Sequence, residues 1–167
     1  MTTVASAFPH LKSITLTTAE RAEQLDRAWA SDFAWRELES LANYTESYAA
    51  PRGTTLVREG SRESFMGVVL EGLVDVVKQD GDGVGRALAQ IRPGKTFGEM
   101  ALLDGEARSA TLVTAADTVV LVVTKESLDR LSEDAPRLAL KFVLKLARQV
   151  SQRLRQTSGV LSDRMRD

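Results

Sequence analysis

Phe97-Gly98-Glu99 and Arg108-Ser109-Ala110 place a glycine, a carboxylate, a guanidinium and a hydroxyl within fourteen residues. The apolar run Met100-Ala101-Leu102-Leu103 and a short polar loop separate them. These are the groups that can hold a small anionic sugar phosphate. Glycine lets the main chain approach a ligand, because no Cβ stands in the way. A helical turn over 99–103 would aim its free N–H groups and positive dipole end at an anion. The planar fork of Arg108 can clamp two phosphate oxygens, and Ser109 can donate one more hydrogen bond. Glu99 repels a phosphate; a carboxylate accepts from hydroxyls, so its natural partner is a ribose OH. Gly-Glu alone is an ordinary helix start and Arg-Ser alone an ordinary turn. Their conjunction at this spacing carries the signal.

The run resembles the phosphate-binding cassette of the cyclic nucleotide-binding domain family, which includes catabolite activator proteins, protein kinase A regulatory subunits and cyclic nucleotide-gated channels. That family's pattern is Phe-Gly-Glu, a small apolar helix, a variable loop and Arg-(Ser/Thr)-Ala, and every position is met. The resemblance implies that Arg108 binds the exocyclic oxygens of a cyclic phosphate and Glu99 the ribose 2′-OH. Gly98, Ser109 and the N–H groups of Met100, Ala101 and Ala110 would complete the cradle beside Phe97. In the family, serine after the arginine fits cAMP and threonine there often accompanies cGMP, so Ser109 leans to cAMP with cGMP as the alternative. Family members also place base contacts on their last helix. Ungapped counting from the cassette puts Arg153 and Leu154 near the base. Thr157-Ser158 is similar to the Thr-Ser pair of catabolite activators, with Thr157 falling one helical turn late.

The rest of the composition narrows the function. A length of 167 residues, 43% hydrophobic and 27% charged, suits one soluble domain with helical appendages. The net charge of −1 gives no strong pull toward nucleic acid or anionic membrane. Cysteine is absent and His10 is the one histidine, which removes a thiolate or histidine metal centre and a cysteine nucleophile. We therefore expect no metal, no cofactor beyond the nucleotide ligand, and no enzyme activity. No apolar run is long enough to span a membrane, and the start of the chain does not read as a signal peptide, so a cytoplasmic location is expected.

Three segments must position the cassette: 1–43 with N-terminal helices, 44–123 as a β-roll carrying cassette 97–110, and 124–167 as C-terminal helices serving as lid and dimer contact. Residues 1–16 show no period and are expected to be extended or loose. Thr17 and Glu20 have capping-box spacing for a helix over 18–30, and Ser31 or Asp32 can cap a second with Phe33, Leu38 and Leu41 inward. Trp29 and Trp35 read as core or interface residues. From Tyr44 to Val123, short apolar runs between turn residues suggest an all-β roll or sandwich, with strands near 44–49, 54–58, 64–70, 73–78, 86–91, 109–114 and 118–123. Asp80-Gly81-Asp82-Gly83 marks a hairpin tip; the rest of a calcium loop does not follow it. With the family resemblance the expected fold is α+β: an antiparallel β-roll, of double-stranded jelly-roll type, flanked by N-terminal helices and a long C-terminal helix. Gly67 departs from the family, where a bulky or aromatic residue is common, and predicts a locally thinner core.

Thr124 can cap a helix over 125–132, and Asp134-Ala135-Pro136 starts the last one, over about 136–157 with Gly159 as its stop. Leu138, Phe142 and Leu146 would pack on the roll. Leu140, Val143, Ala147, Val150, Leu154 and Thr157 alternate by three and four, a second stripe suited to the same helix of another subunit in a parallel dimer. Arg137, Lys141, Lys145, Arg148, Arg153 and Arg155 make the helix basic, mostly as a solvated face, with an acidic protein as a further possible partner. The chain ends soon after, so the helix-turn-helix domain of the family's transcription factors is not expected here. The sequence thus reads as a cAMP-binding regulatory module acting on another protein. The alternative is a ligand-free scaffold that keeps the fold.

Overall fold

The computed structural model describes residue 8 and residues 11–164, with side chains as far as Ser158. Helix α1 (Thr18–Ala28) begins as its spacing predicts. Thr17 Oγ1 accepts from the Glu20 N–H at 3.2 Å, and the Glu20 carboxylate accepts from the Thr17 N–H at 2.7 Å. Helix α2 (Trp35–Ala42) starts later than expected, and neither Ser31 nor Asp32 caps it. The Phe33 N–H bonds Ala30 O at 2.9 Å in a turn, the Glu37 carboxylate accepts from the Ala34 N–H at 2.8 Å, and Asp32 pairs instead with Lys145 at 2.5 Å.

Nine strands are present among the described residues: β1 (Lys12–Ile14), β2 (Glu46–Ala50), β3 (Thr55–Val57), β4 (Phe65–Glu71), β5 (Val74–Gln79), β6 (Gly85–Ile91), β7 (Thr96–Phe97), β8 (Thr111–Thr114) and β9 (Thr118–Thr124). They form two antiparallel sheets, ordered β1-β2-β9-β4-β7 and β3-β8-β5-β6. The seven expected strands are all there. β1 and β7 were not foreseen, since three and two residues are too few to show a period. The aspartate-glycine run turns the β5–β6 hairpin, where Asp80 Oδ1 accepts from the Asp82 and Val84 N–H groups at 3.1 and 2.9 Å.

Strands β4 and β9 are apolar on both faces because both faces are covered. Phe65, Val69, Val120 and Val122 face the inter-sheet core with Tyr48 and Leu56. Met66, Val68, Leu121 and Val123 face a second core built with Leu25, Trp29, Leu38 and Leu41 of the N-terminal segment and its helices. The core is not thinned at Gly67. A Cβ there would lie 2.5 Å from Phe97 Cε1, so the Phe97 ring fills the space. Trp29 is buried, as expected, whereas Trp35 is 46% exposed and outside either core.

After β7 come α3 (Glu99–Asp104), α4 (Lys125–Asp134) and α5 (Pro136–Arg164). Thr124 Oγ1 caps α4 by accepting from the Ser127 N–H at 3.1 Å. Helix α5 buries Leu138, Ala139, Phe142 and Leu146, and Lys141 and Lys145 tie it to Glu37 and Asp32 at 2.5 Å each. These two of the six basic residues expected on its solvated face are therefore paired within the molecule. Gly159 does not stop this helix, which runs on to Arg164. A mid-helix glycine costs about 1 kcal/mol against alanine, and Gly159 is helical, without the left-handed turn that a glycine stop uses. No helix among the described residues is long and apolar enough to cross a membrane.

Candidate functional site

Strand β7 delivers the cassette. Phe97 is anchored on Gly67, and Gly98 follows with φ 76°, a left-handed conformation that lets the chain turn sharply into α3. A Cβ on Gly98 would lie 2.6 Å from Phe65 O and against the Arg108 guanidinium, so only glycine fits. The helical ladder opens with Leu102 N–H to Gly98 O at 3.1 Å, which leaves the N–H groups of Glu99, Met100 and Ala101 ahead of it.

Arg108 returns beneath this turn. Its main chain is fixed by its own N–H to Ser61 O and by the Gly60 N–H to its carbonyl, both at 2.8 Å. The guanidinium donates to Phe65 O at 2.8 Å and to Gly98 O at 3.3 Å, and lies 4.4 Å from the centroid of the Phe65 ring. Only 6% of the residue is exposed, and Nε has no partner. Burial pushes the Arg108 pKa below the usual arginine value, while the carboxylates of Glu63 and Glu99 push it back. A desolvated cation of this kind is ready for an anion. Glu99 is 1% exposed; Arg153 from α5 donates to Oε1, and Oε2 is buried without a partner. Lys78 holds the next position by donating to Ser109 O at 2.7 Å.

A cavity of about 670 Å³ lies between the cassette, β6 and α5, within the size range of small-molecule sites. Phe97, Gly98, Glu99, Met100, Ala101, Arg108, Ser109 and Ala110 all line it, as does Arg153. Leu154 and Thr157, expected near a base, do not. Leu154 is 66% exposed, and the Thr157 hydroxyl donates to Arg153 O at 3.0 Å. Counting along the chain gives the distance from the cassette but not the rotation of the helix: Leu154 turns off the inward stripe, and Thr157 lies a full turn beyond Arg153. In their place Gln149, Gln152 and Gln156 line the cavity. Their signal was present in the sequence, as glutamines interrupting the stripe of Leu138, Phe142 and Leu146. Glu63, whose charge supports Arg108, left no such signal.

Residues 49–135 match the family described as Cyclic nucleotide-binding domain. The chain belongs to the cyclic nucleotide-binding domain family. It is similar to the cyclic AMP receptor protein of Thermus thermophilus, 31% identical over 114 residues, which is 68% of this chain and 53% of that protein. It is also similar to the cAMP-dependent protein kinase regulatory subunit of Eremothecium gossypii, 29% identical over 126 residues, 72% of this chain and 25% of the subunit. The chain thus spans about half or less of these relatives. A solved cyclic nucleotide-binding domain from Methylobacillus flagellatus superposes with a TM-score of 0.84 at 26% identity, covering 94% of this chain and 90% of that one. The family is one of regulatory ligand-binding domains.

Proposed function

We propose that this chain is a regulatory module that binds cAMP and passes its occupancy to a protein partner. One observation carries the reading: Glu99 and Arg108 line one cavity, are both buried, and each keeps a polar atom without a partner. A cyclic nucleotide supplies what they lack, a ribose hydroxyl for Oε2 of Glu99 and an anionic phosphate beside Arg108. Ser109 favours cAMP, with cGMP as the competing ligand. Glu99 and Arg108 bind without supplying a nucleophile, so the module performs no catalysis of its own. Its place is the cytoplasm, and its assembly is a homodimer through α5, whose outer face exposes Leu140, Leu144 and Leu154.

Ligand acts by shifting the equilibrium between positions of α5 relative to the cassette, and the partner reads that shift. Calorimetry against cAMP, cGMP and a linear nucleotide tests the reading. Saturable binding of cAMP with no binding of linear AMP is expected; absence of any binding at millimolar cyclic nucleotide overturns it.

A second reading, a ligand-free scaffold, draws support from one feature. Arg108 already donates to two carbonyls and Glu99 already holds Arg153, so the site is partly satisfied from within. Unaltered melting in millimolar cAMP would favour it, since a ligand of the folded state raises the melting temperature.

A further inference from the structure

Arg108 rests on Phe65 in two ways. Its guanidinium donates to Phe65 O at 2.8 Å and lies 4.4 Å from the centroid of the Phe65 ring. The same carbonyl bounds the Gly98 turn, where a Cβ would approach it to 2.6 Å. Both halves of the cassette therefore stand on Phe65, and whatever fixes its ring steadies the cation against it. The Phe65 main chain is held by strand pairing with Thr124. Its buried ring meets Phe8, with centroids 4.3 Å apart and planes at 63°, an edge-to-face arrangement. Phe8 precedes every helix and strand of the described chain, yet it is buried. Its ring also meets Tyr48 at 5.7 Å, and its carbonyl accepts from the Leu11 N–H at 3.1 Å. It shares the inter-sheet core with Val57, Phe97 and Leu112, which line the cavity, but does not line the cavity itself.

We propose that Phe8 is a positioning residue for the anion site: it braces the Phe65 ring and, through that ring, holds the Arg108 guanidinium in place. The inference rests on the reading of Arg108 as the phosphate ligand and extends that site to the N-terminal segment. A cation is attracted to the face of a ring within about 6 Å of its centroid, so the attraction depends on the tilt of the ring. An edge-to-face neighbour fixes that tilt, because ring quadrupoles favour this arrangement over a face-to-face sandwich. When the Phe8 ring is removed, the Phe65 ring gains room to turn, and Arg108 keeps its carbonyl partner but loses its aromatic face. A guanidinium that is no longer held in one place must be ordered by the ligand, and affinity falls by that cost.

Phe8→Leu keeps a buried apolar side chain and removes the ring; Phe8→Met, flexible enough to fill the gap, replaces it should the leucine variant not fold. Two measurements on the full chain form the test. The first needs no ligand: the Nε–Hε resonance of Arg108, identified by its loss in Arg108→Leu, should shift in Phe8→Leu. The second is calorimetry with cAMP, whose affinity should fall about two- to tenfold, the worth of one aromatic pair. Phe65→Leu should weaken cAMP binding to a similar degree, and Phe8→Leu/Phe65→Leu should bind no more weakly than Phe65→Leu alone. An unmoved Arg108 resonance, or cAMP affinity equal to wild type, overturns the assignment. Additive losses in the double variant also overturn it, since a residue acting through Phe65 has nothing left to brace once that ring is gone. Wild type that binds no cyclic nucleotide defeats instead the reading of Arg108 as phosphate ligand, and the resonance alone then decides whether Phe8 positions it.

Discussion

Arg108 and Glu99 bring opposite charges into a nearly dry site, and the consequences of losing either are one-sided. Arg108→Leu removes the cation proposed to hold the phosphate, and cAMP affinity should fall about 30-fold or more, roughly 2–5 kcal/mol. Unchanged affinity in calorimetry would dismiss Arg108 as the phosphate ligand. Gly98→Ala forces a side chain into a left-handed conformation and against Phe65 O, so stability to denaturant should drop by about 1–3 kcal/mol and cAMP binding should weaken with it. A variant as stable as wild type would show that the turn can relax. At this scale the cassette was legible because its residue types are chemically distinct and closely spaced. The α5 contacts were not. Leu154 sits at a plausible distance from the cassette, yet helix rotation turns it off the inward stripe, Thr157 falls one turn late, and Gln149, Gln152 and Gln156 line the cavity instead.

Helix α5 is held unevenly. Its first half is fixed by Leu138, Phe142 and Leu146 and by the Lys141 and Lys145 ion pairs, while past Leu146 its described side chains meet no core and Arg153–Glu99 ties it to the cassette. Arg153→Gln should therefore speed amide exchange in 150–158 while leaving 137–146 protected, as hydrogen-exchange mass spectrometry can read; equal protection along the helix would remove Arg153 as the tether. The Lys141 ammonium, hydrogen-bonded to Glu37, holds that carboxyl below its ordinary value of 4.5. Ionised Glu37 thus stabilises the fold above the unfolded-state value, and that contribution vanishes as pH falls through the lower folded-state value. Below about pH 4.5 wild type should lose melting temperature faster than Glu37→Gln; parallel curves would assign the pair no role. Elements with their own caps, such as α1 with Thr17 and α4 with Thr124, were readable in advance. Others were not: α2 begins where Glu37 reaches back to the N–H of Ala34, a residue with no capping side chain to mark it, and α5 continues through Gly159.

For the whole molecule, α5 carries two faces with opposite duties, one inward to core and cavity and one outward with Leu140 at 60% and Leu154 at 66% exposure. If that outer face joins two copies, sedimentation should show a dimer, and Leu140→Glu/Leu154→Glu should sediment as a monomer that still binds nucleotide. A wild-type monomer at high concentration ends the dimer proposal. The fold class was open to sequence reasoning because the alternation of apolar and polar residues changes period at Tyr44 and again after Val123. The closeness of sheet and site was not, and Gly67 shows what it brings. The Phe97 ring rests where a side chain at position 67 would stand, and Gly98 and Glu99 are the next two residues along the chain. The bare strand acts as a depth gauge for the cradle: one methyl group added at Gly67 would raise the ring and, through it, the two cavity-lining residues that follow it. The shape of the cavity can thus be adjusted, by mutation or by drift, from a β-strand position that does not line it.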